Sequence, residues 1–392
     1  MLLLTCPVVS AVYSWRCLIR HPYNWKIFLV LYMYGVFVLA YVLVPAYTND
    51  LTRYFDILDS IKGMSLIGAV TRLHNGLYVE NFLFWLVSVT GDNHILPAVS
   101  TTVVYGISAY TLLDYAEREH CLEDAWIILL FEVLQFSFFS VANNVRNIFT
   151  FSIVVLAVYR ELILKKRDFL TLVLYIAPCF MHKTGAVLVA LRLLVIFVRK
   201  ALPLVIGFVL LLPSAIIFVY RLRNSIPIGG VPGRLIRKIV SSAYNYLKGG
   251  TEYADIVSGS KGQLVIRLIV MAMILLIAVI CYLYNREHPS DYNVFCILLC
   301  AVVVACNTFQ TPAYWRFAMA AIMTSAPAML WALRQRAPVI RTMLCILALL
   351  AVFRFALDLL FTRLRMDHLD FVLAAVRTNI FTIAANVLHY ML

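Results

Sequence analysis

Apolar runs of about 20 residues recur from one end of the chain to the other, and a helix of that length matches the ~30 Å hydrocarbon core of a membrane. Of the 392 residues, 63% are hydrophobic and 14% are charged. A soluble domain has about 25% charged residues. The mean hydropathy is +0.89. The sequence therefore predicts an all-α polytopic integral membrane protein.

The apolar runs predict 11 to 13 transmembrane helices. The predicted spans are residues 2–15, 28–48, 95–116, 124–142, 147–164, 169–181, 185–198, 202–220, 264–284, 292–309, 314–333, 341–361 and 369–390. Residues 78–90 are too short to cross and are predicted to form a re-entrant or interfacial helix. No soluble domain and no tandem repeat is visible, so we expect a single membrane domain, residues 1–392, with the C-terminal helices in 264–392.

Short basic loops predict which side of the membrane each loop occupies, because cytoplasmic loops are enriched in Lys and Arg. The turns at 165–167 and 199–200 fall on the same side in this arrangement, which we assign to the cytoplasm. The one long loop, 221–263, is then extracytoplasmic although it is basic. We expect Arg234 and Arg237 in this loop to bind an anionic or sugar-bearing ligand. The alternative is a solvated loop that contacts anionic headgroups.

A short polar segment, Asn143 to Asn147, interrupts two apolar runs at the outer start of span 147–164. Asn143 or Asn144 is a suitable N-cap residue, and the N-terminus of a helix carries a partial positive charge. Arg146 adds a planar set of donors that matches phosphate oxygens. Together these features predict an anion site. The alternative is that Arg146 snorkels, so that its guanidinium reaches the membrane surface and binds no specific ligand.

Two further helix starts on the same side carry cations. His182 and Lys183 precede a helix that is predicted to begin near Thr184. In the segment NTFQTPAYWRF, Thr311 is the predicted N-cap and Arg316 lies one turn into the helix. We expect these helix starts and that of Arg146 to converge on one strongly anionic group. The alternative is three separate surface cations.

Acidic residues form a fourth polar segment, in which Asp50 and Tyr54 follow span 28–48 and Glu80 lies in the short helix. A carboxylate beside a cation site can deprotonate a hydroxyl group. The alternative for this stretch is a solvated amphipathic helix. Motifs typical of nucleotide sites and of zinc or DxD metal sites are missing from the sequence. We therefore expect no cofactor, no metal and no nucleic-acid partner.

These segments resemble the EpsG family of Wzy-type bacterial polysaccharide polymerases. The resemblance is best over residues 28–200. The matching positions are Asp50 with Tyr54, Tyr78 with Glu80, Arg146 with Ile148, Lys165–Arg167, Met181–Gly185, and Arg316 with Phe317. The sequence departs from the family pattern around Glu80, where Val79 precedes it and Asn81 replaces a proline.

The resemblance implies an enzyme of the all-helical GT-C type at the outer face of the bacterial inner membrane. Such a polymerase joins oligosaccharide repeat units carried on undecaprenyl pyrophosphate, as in O-antigen, capsule or exopolysaccharide synthesis. The transfer would be inverting and metal-independent, because pyrophosphate is already a good leaving group and only the acceptor hydroxyl needs a base. The lipid bilayer, a chain-length regulator and a flippase are the implied partners.

The resemblance also implies roles for the polar residues. The expected catalytic residues are Asp50, Glu80 and His182. Of the expected pyrophosphate and substrate ligands, Tyr54, Arg146, Lys183 and Arg316 match the family's motifs. The others are expected from the helix start and the basic loop alone, namely Asn144, Arg234 and Arg237. Two other functions stay open, namely a different lipid-linked sugar transferase or ligase, and a transporter or flippase, for which internal repeats would be typical.

Overall fold

The computed structural model describes residues 6–44, 50–73, 76–198, 201–222, 241, 244, 261–308, 313–363 and 374–391. Throughout these residues the regular structure is helical, as predicted. The α-helices are α1 (Pro7–Arg20), α2 (Trp25–Tyr41), α3 (Asp50–Ile61), α4 (Leu66–Leu73), α5 (Tyr78–Val89), α6 (Ile95–Arg118), α7 (Leu122–Gln135), α8 (Phe138–Asn143), α9 (Val145–Leu162), α10 (Phe169–Met181), α11 (Lys183–Val198), α12 (Leu202–Leu222), α13 (Lys261–Glu287), α14 (Asp291–Thr308), α15 (Ala313–Thr324), α16 (Ala326–Arg334), α17 (Pro338–Arg363) and α18 (Ile380–Met391).

Four of the described helical segments are long and apolar enough to cross a membrane: 22–41, 95–118, 264–287 and 338–360. A fifth is added if α15 and α16, which are bent by 53° at their junction, form one span. This number is lower than the 11 to 13 that we predicted. Most of the other apolar runs do form helices at the expected places, but they are shorter than the ~20 residues that a crossing needs.

Two predicted spans are each broken into two helices, one of them at a side-chain cap. The span expected at 124–142 is divided between α7 and α8, because Ser137 accepts a hydrogen bond from the Ser140 amide and so starts a new helix. The span expected at 314–333 is divided at Ser325, and Pro327 occupies the first turn of the second piece. The first predicted span, 2–15, is instead a helix that ends at Arg20.

The described residues pack into two compact units, residues 1–190 with 351–392 and residues 191–350. The prediction of a single membrane domain stays a prediction. The long loop predicted at 221–263 lies almost wholly outside the described residues, and Arg234 and Arg237 are among those not described. The short helix expected at 78–90 is present as α5, whereas its re-entrant or interfacial position stays a prediction.

Helix α6 forms the centre of the first unit. Of the residues in its most apolar stretch, 72% are buried, whereas in that of α17 only 17% are buried. Helix α9 packs along α6 and is fixed at its C-terminal end, where the Tyr159 hydroxyl donates to Asp114 at 2.6 Å. Arg118 donates to the same carboxylate at 2.7 Å. This end of α9 is therefore held firmly at Tyr159, about 20 Å along the helix axis from Arg146.

We predict that the basic turn after α9 is cytoplasmic, which would put Arg146 at the outer face. Lys166 lies in this turn and is exposed, so it is a suitable place for a label. In a variant with Lys166→Cys as the sole cysteine, an impermeant thiol reagent should react in inside-out vesicles and not in intact spheroplasts. Ready labelling in spheroplasts would reverse the assigned sidedness.

Candidate functional site

The polar segment that contains Arg146 lies at a break between two helices. Asn144 separates α8 from α9, so α9 begins at Val145 and Arg146 is its second residue. Asn144 occupies the N-cap position, as predicted, but its side chain makes no capping hydrogen bond. Its amide nitrogen instead donates to the Ser140 carbonyl at 3.0 Å. The first turn of α9 therefore does not receive the side-chain cap that we expected from Asn144.

Arg146 joins three helices by direct contacts. Its Nε donates to the Tyr54 hydroxyl of α3 at 2.9 Å, and its Nη1 donates to Glu80 Oε1 of α5 at 3.0 Å. The guanidinium also lies 5.0 Å from the centre of the Tyr54 ring. The partners are 92 and 66 positions away in the sequence. We call Tyr54, Glu80 and Arg146 the Arg146 cluster.

The amphipathic pattern of α3 brings Tyr54 into this cluster. Its buried residues, Leu51, Tyr54, Leu58 and Ile61, recur at helical spacing and pack in one core with residues of α5 and α9. Tyr54 and Phe84 of α5 have their ring centres 5.7 Å apart. Hydrophobic packing of the short helices therefore holds the polar atoms of the cluster in place.

Burial controls the electrostatics of the cluster. It raises the pKa of the Glu80 carboxyl above its usual value and outweighs the opposing effect of Arg146. Glu80 Oε2 is buried and has no hydrogen-bond partner among the described residues. Burial also raises the pKa of the Tyr54 phenol, with Arg146 again opposing it. Tyr54 is thus a neutral phenol at neutral pH, while Glu80 keeps one oxygen available to accept a proton.

The Arg146 cluster also retains hydrogen-bond donors. Arg146 Nη2 donates to none of the described residues, and the same is true of the Tyr54 hydroxyl proton. The Arg146 side chain is 24% exposed, so a ligand can reach it. Asn143 Oδ1 and Asn147 Oδ1 are buried acceptors nearby in the sequence that lack partners in the described part of the chain. This combination suits a ligand that carries both an anionic group and hydroxyl groups.

Asp50 lies outside these contacts. It pairs with Arg53 at 3.0 Å in the first turn of α3, and both side chains are substantially exposed. Surface pairs of this kind are worth at most about 1 kcal/mol. Asp50 is one turn from Tyr54, and its charge helps to raise the pKa of that phenol. The structure thus places Asp50 beside the Arg146 cluster without a direct contact to Arg146.

His182 and Lys183 lie at the junction of α10 and α11, close to the predicted helix start. His182 Nδ1 accepts a hydrogen bond from the Thr184 amide at 3.2 Å and lies 2.6 Å from the Thr184 hydroxyl. The imidazole therefore caps α11. Lys183 is exposed and makes no ion pair with a described residue.

Arg316 belongs to the second compact unit, where it is half-buried in the first turn of α15. Thr311, its predicted N-cap, lies outside the described residues. The predicted convergence of Arg316 with Arg146 and Lys183 on one anion stays a prediction.

A comparison with protein-family models decides the family. The model of the EpsG family matches residues 15–364, which is most of the chain. The chain belongs to the EpsG family. This is a Wzy-type polysaccharide polymerase-like family, so the resemblance seen in the sequence is confirmed over a longer stretch than 28–200. Neither the comparison with curated proteins nor that with solved structures found a significant match.

In this EpsG family chain, Gly185 controls how closely α11 approaches α9 and α10. A Cβ atom at this position would lie 2.3 Å from the Pro178 carbonyl oxygen and 2.8 Å from Thr150 Cγ2. The Thr150 hydroxyl in turn donates to the Arg146 carbonyl at 2.6 Å. The start of α11, with His182, therefore packs against α9 about one turn beyond Arg146. Sequence analysis missed this role, although a glycine directly after a helix start was a visible signal.

We predict that Gly185→Ala destabilises the protein by about 1–3 kcal/mol, because a backbone oxygen has to move to admit the methyl group. Gly207→Ala is the matched control, since nothing lies within 4 Å of a Cβ atom there. Thermal unfolding in detergent should show a lower melting temperature for the Gly185 variant and little change for the control. Equal melting temperatures would mean that the helices tolerate a wider spacing.

Proposed function

We propose that this chain is a polysaccharide polymerase that transfers undecaprenyl-pyrophosphate-linked oligosaccharide repeat units onto one another at the outer face of the bacterial inner membrane. Membership of the EpsG family supports a polymerase-type role. The single observation that carries the finer proposal is the Arg146 cluster, which combines unused donors with a poorly solvated carboxyl. These are the two groups that glycosyl transfer from a diphosphate needs.

The donor side of the cluster would bind the leaving group. Arg146 Nη2 and the Tyr54 hydroxyl can donate to diphosphate oxygens while Glu80 and Tyr54 keep the rest of the guanidinium in place. The N-terminus of α9 adds a partial positive charge. Exposed Lys183, two residues before Gly185, which packs on α9, would supply a further cation. Such donors stabilise charge that develops on the leaving oxygen.

The acceptor side of the cluster would supply the base. A hydroxyl of the acceptor sugar attacks the anomeric carbon of the donor and forms the new C–O bond on the face opposite the diphosphate. The old C–O bond breaks, its electron pair leaves with the diphosphate, and the hydroxyl proton passes to Glu80 Oε2. Binding of the anion would also weaken the effect of Arg146 on Glu80, which makes the carboxylate a stronger base.

Other residues have supporting roles in this proposal. Asp50 and His182 are the alternative bases, but Asp50 is exposed and paired with Arg53, and His182 Nδ1 is engaged by Thr184. Both observations favour Glu80. Arg316, with Arg234 and Arg237 of the long loop, would hold the carrier or the growing glycan. A flippase would deliver the repeat units, and a chain-length regulator would act on the product.

Complementation of a deletion strain tests the proposal. A strain that lacks this protein should make single repeat units without a glycan ladder. Loss of a charge-assisted hydrogen bond costs about 1.5–3 kcal/mol, which is roughly ten- to a hundredfold in rate. Arg146→Met should therefore leave short or no ladders. Arg146→Lys should be partly active, because it keeps the charge and loses the planar geometry.

Arg72→Lys is the matched control, since Arg72 is an exposed residue of the neighbouring helix α4 and should give wild-type ladders. Protein abundance in the membrane has to be equal in all variants. A normal ladder from Arg146→Met would overturn the proposal, because the cluster would then be structural only.

The pH dependence of transfer identifies the base. If Glu80 is the base, the rate should fall as the pH drops through its raised pKa, because the protonated carboxyl cannot accept a proton. Arg146 lowers this pKa, so Arg146→Met should move the acid limb of the rate profile to higher pH. Glu80→Gln should slow transfer about 10²–10⁴-fold and abolish the limb. Asp50→Asn should leave the limb unchanged, and its loss in that variant would make Asp50 the base.

A further inference from the structure

The second compact unit contains a buried arginine that none of the polar segments predicted. Arg267 lies in the second turn of α13 and is only 9% exposed. Its Nη2 donates to the Asn307 carbonyl at 2.7 Å, and its Nε donates to Asn307 Oδ1 at 3.2 Å. Asn307 Nδ2 donates back to the Arg267 carbonyl at 3.1 Å. The guanidinium lies 5.7 Å from the centre of the Tyr314 ring.

The charge of Arg267 is not neutralised by a carboxylate within the described residues. Arg118, Arg146 and Arg160 each have an acidic partner within 3.0 Å, whereas Arg267 has only an amide, a carbonyl and an aromatic face. Hydrogen bonds from neutral groups orient a guanidinium without cancelling its charge. Buried charges are normally paired, so this arrangement favours an anionic ligand.

The position of Arg267 fits a ligand at the membrane surface. The cluster contains the N-terminal part of α13, the C-terminal end of α14 and the start of α15, so it lies at one end of these helices. The remaining guanidinium donors can form the paired contacts that phosphate oxygens accept. Phosphate-type anions are therefore the chemical class that this cluster suits best.

We propose that Arg267, oriented by Asn307, binds the diphosphate of a second lipid-linked saccharide, the acceptor of the transfer. This inference rests on the proposed function, in which two carrier-linked substrates take part in each turnover. One diphosphate leaves and needs a base beside it, as Glu80 lies beside Arg146. The other stays bonded to its sugar throughout, so its site needs a cation and no base. Arg267 has this composition at one end of its helix, whereas the buried Arg354, which donates to the carbonyl and side-chain amide of Gln135, lies in the interior of α17.

Binding stoichiometry tests the inference. Farnesyl diphosphate is titrated onto the full-length protein in phosphatidylcholine nanodiscs, and bound molecules are counted by native mass spectrometry. We expect two equivalents on the wild type, one on Arg267→Gln, one on Arg146→Gln and none on the double variant. Arg286→Gln, an exposed arginine at the far end of the same helix, is the control and should keep two.

A second variant tests the same site in case Arg267→Gln does not fold. Asn307→Asp retains an acceptor for Arg267 and introduces a carboxylate that neutralises its charge, at the expense of the bond to the Arg267 carbonyl. Its melting temperature is measured in parallel with binding. A folded Asn307→Asp protein should lose the second equivalent. Two equivalents on either folded variant would overturn the inference.

Other outcomes of the titration show whether the inference alone fails or the proposed function fails with it. Titrations with other anions show whether Arg267 binds a different ligand. One equivalent on the wild type that is lost with Arg146→Gln and kept with Arg267→Gln would overturn the inference alone. No binding to the wild type would overturn the proposed function as well. In nanodiscs that contain phosphatidylglycerol, the wild-type protein should still bind two equivalents of farnesyl diphosphate. If the second is lost there, Arg267 binds a phospholipid headgroup and the inference fails. Inorganic diphosphate should compete for both equivalents.

Discussion

The contact of Arg146 with Glu80 and Tyr54 is the constraint around which the candidate site is organised. It joins α9, which is anchored at its other end by Tyr159 and Asp114, to the short helices α3 and α5. Helices of 12 residues have little stability of their own, so their positions depend on tertiary contacts. Apolar packing around Tyr54 and Phe84 supplies most of these contacts, and Arg146 fixes the register between them.

Stability alone does not explain why an ion pair occupies this position. The Glu80 side chain is 2% exposed, and taking two charges out of water often costs as much as their attraction returns. An apolar pair of similar volume would hold the helices at least as well. The carboxylate also keeps one oxygen without a partner in the described residues, which is unfavourable in a purely structural pair. The arrangement is better explained by a ligand that uses the remaining polar atoms.

The sequence predicted the positions of most helices but missed the breaks within two apolar runs. Apolar runs located most helices, because lipid and protein interior favour the same residues. The break at Ser137 depends on one hydroxyl that accepts from Ser140, and hydropathy does not register such a cap. The polar residues of the site were likewise found as separate segments. Their pairing joins positions 66 and 92 residues apart, which no local pattern reports.

Asp50 and Arg267 mark the limits of reading charge from sequence. Asp50 was expected to be catalytic, and the structure gives it an exposed partner in its own helix. Arg267 was not singled out, because one arginine near the end of an apolar run is most simply explained as a snorkelling residue. Its burial against Asn307 becomes visible only when α14 packs on α13. The degree of burial, which the residue type does not show, therefore distinguishes Arg267 from Asp50 as a candidate site residue.

Arg146 and Arg267 differ in a way that suits two tasks in the proposed transfer. Arg146 touches a carboxyl whose pKa is raised by burial, so binding an anion there changes the affinity of a neighbouring group for a proton. Arg267 touches an amide and an aromatic ring, and no carboxyl group of a described residue pairs with it. An anion bound to Arg267 is held without any coupled proton. In the proposed transfer, which breaks the bond to one diphosphate and keeps the bond to another, the two arginines would divide these tasks.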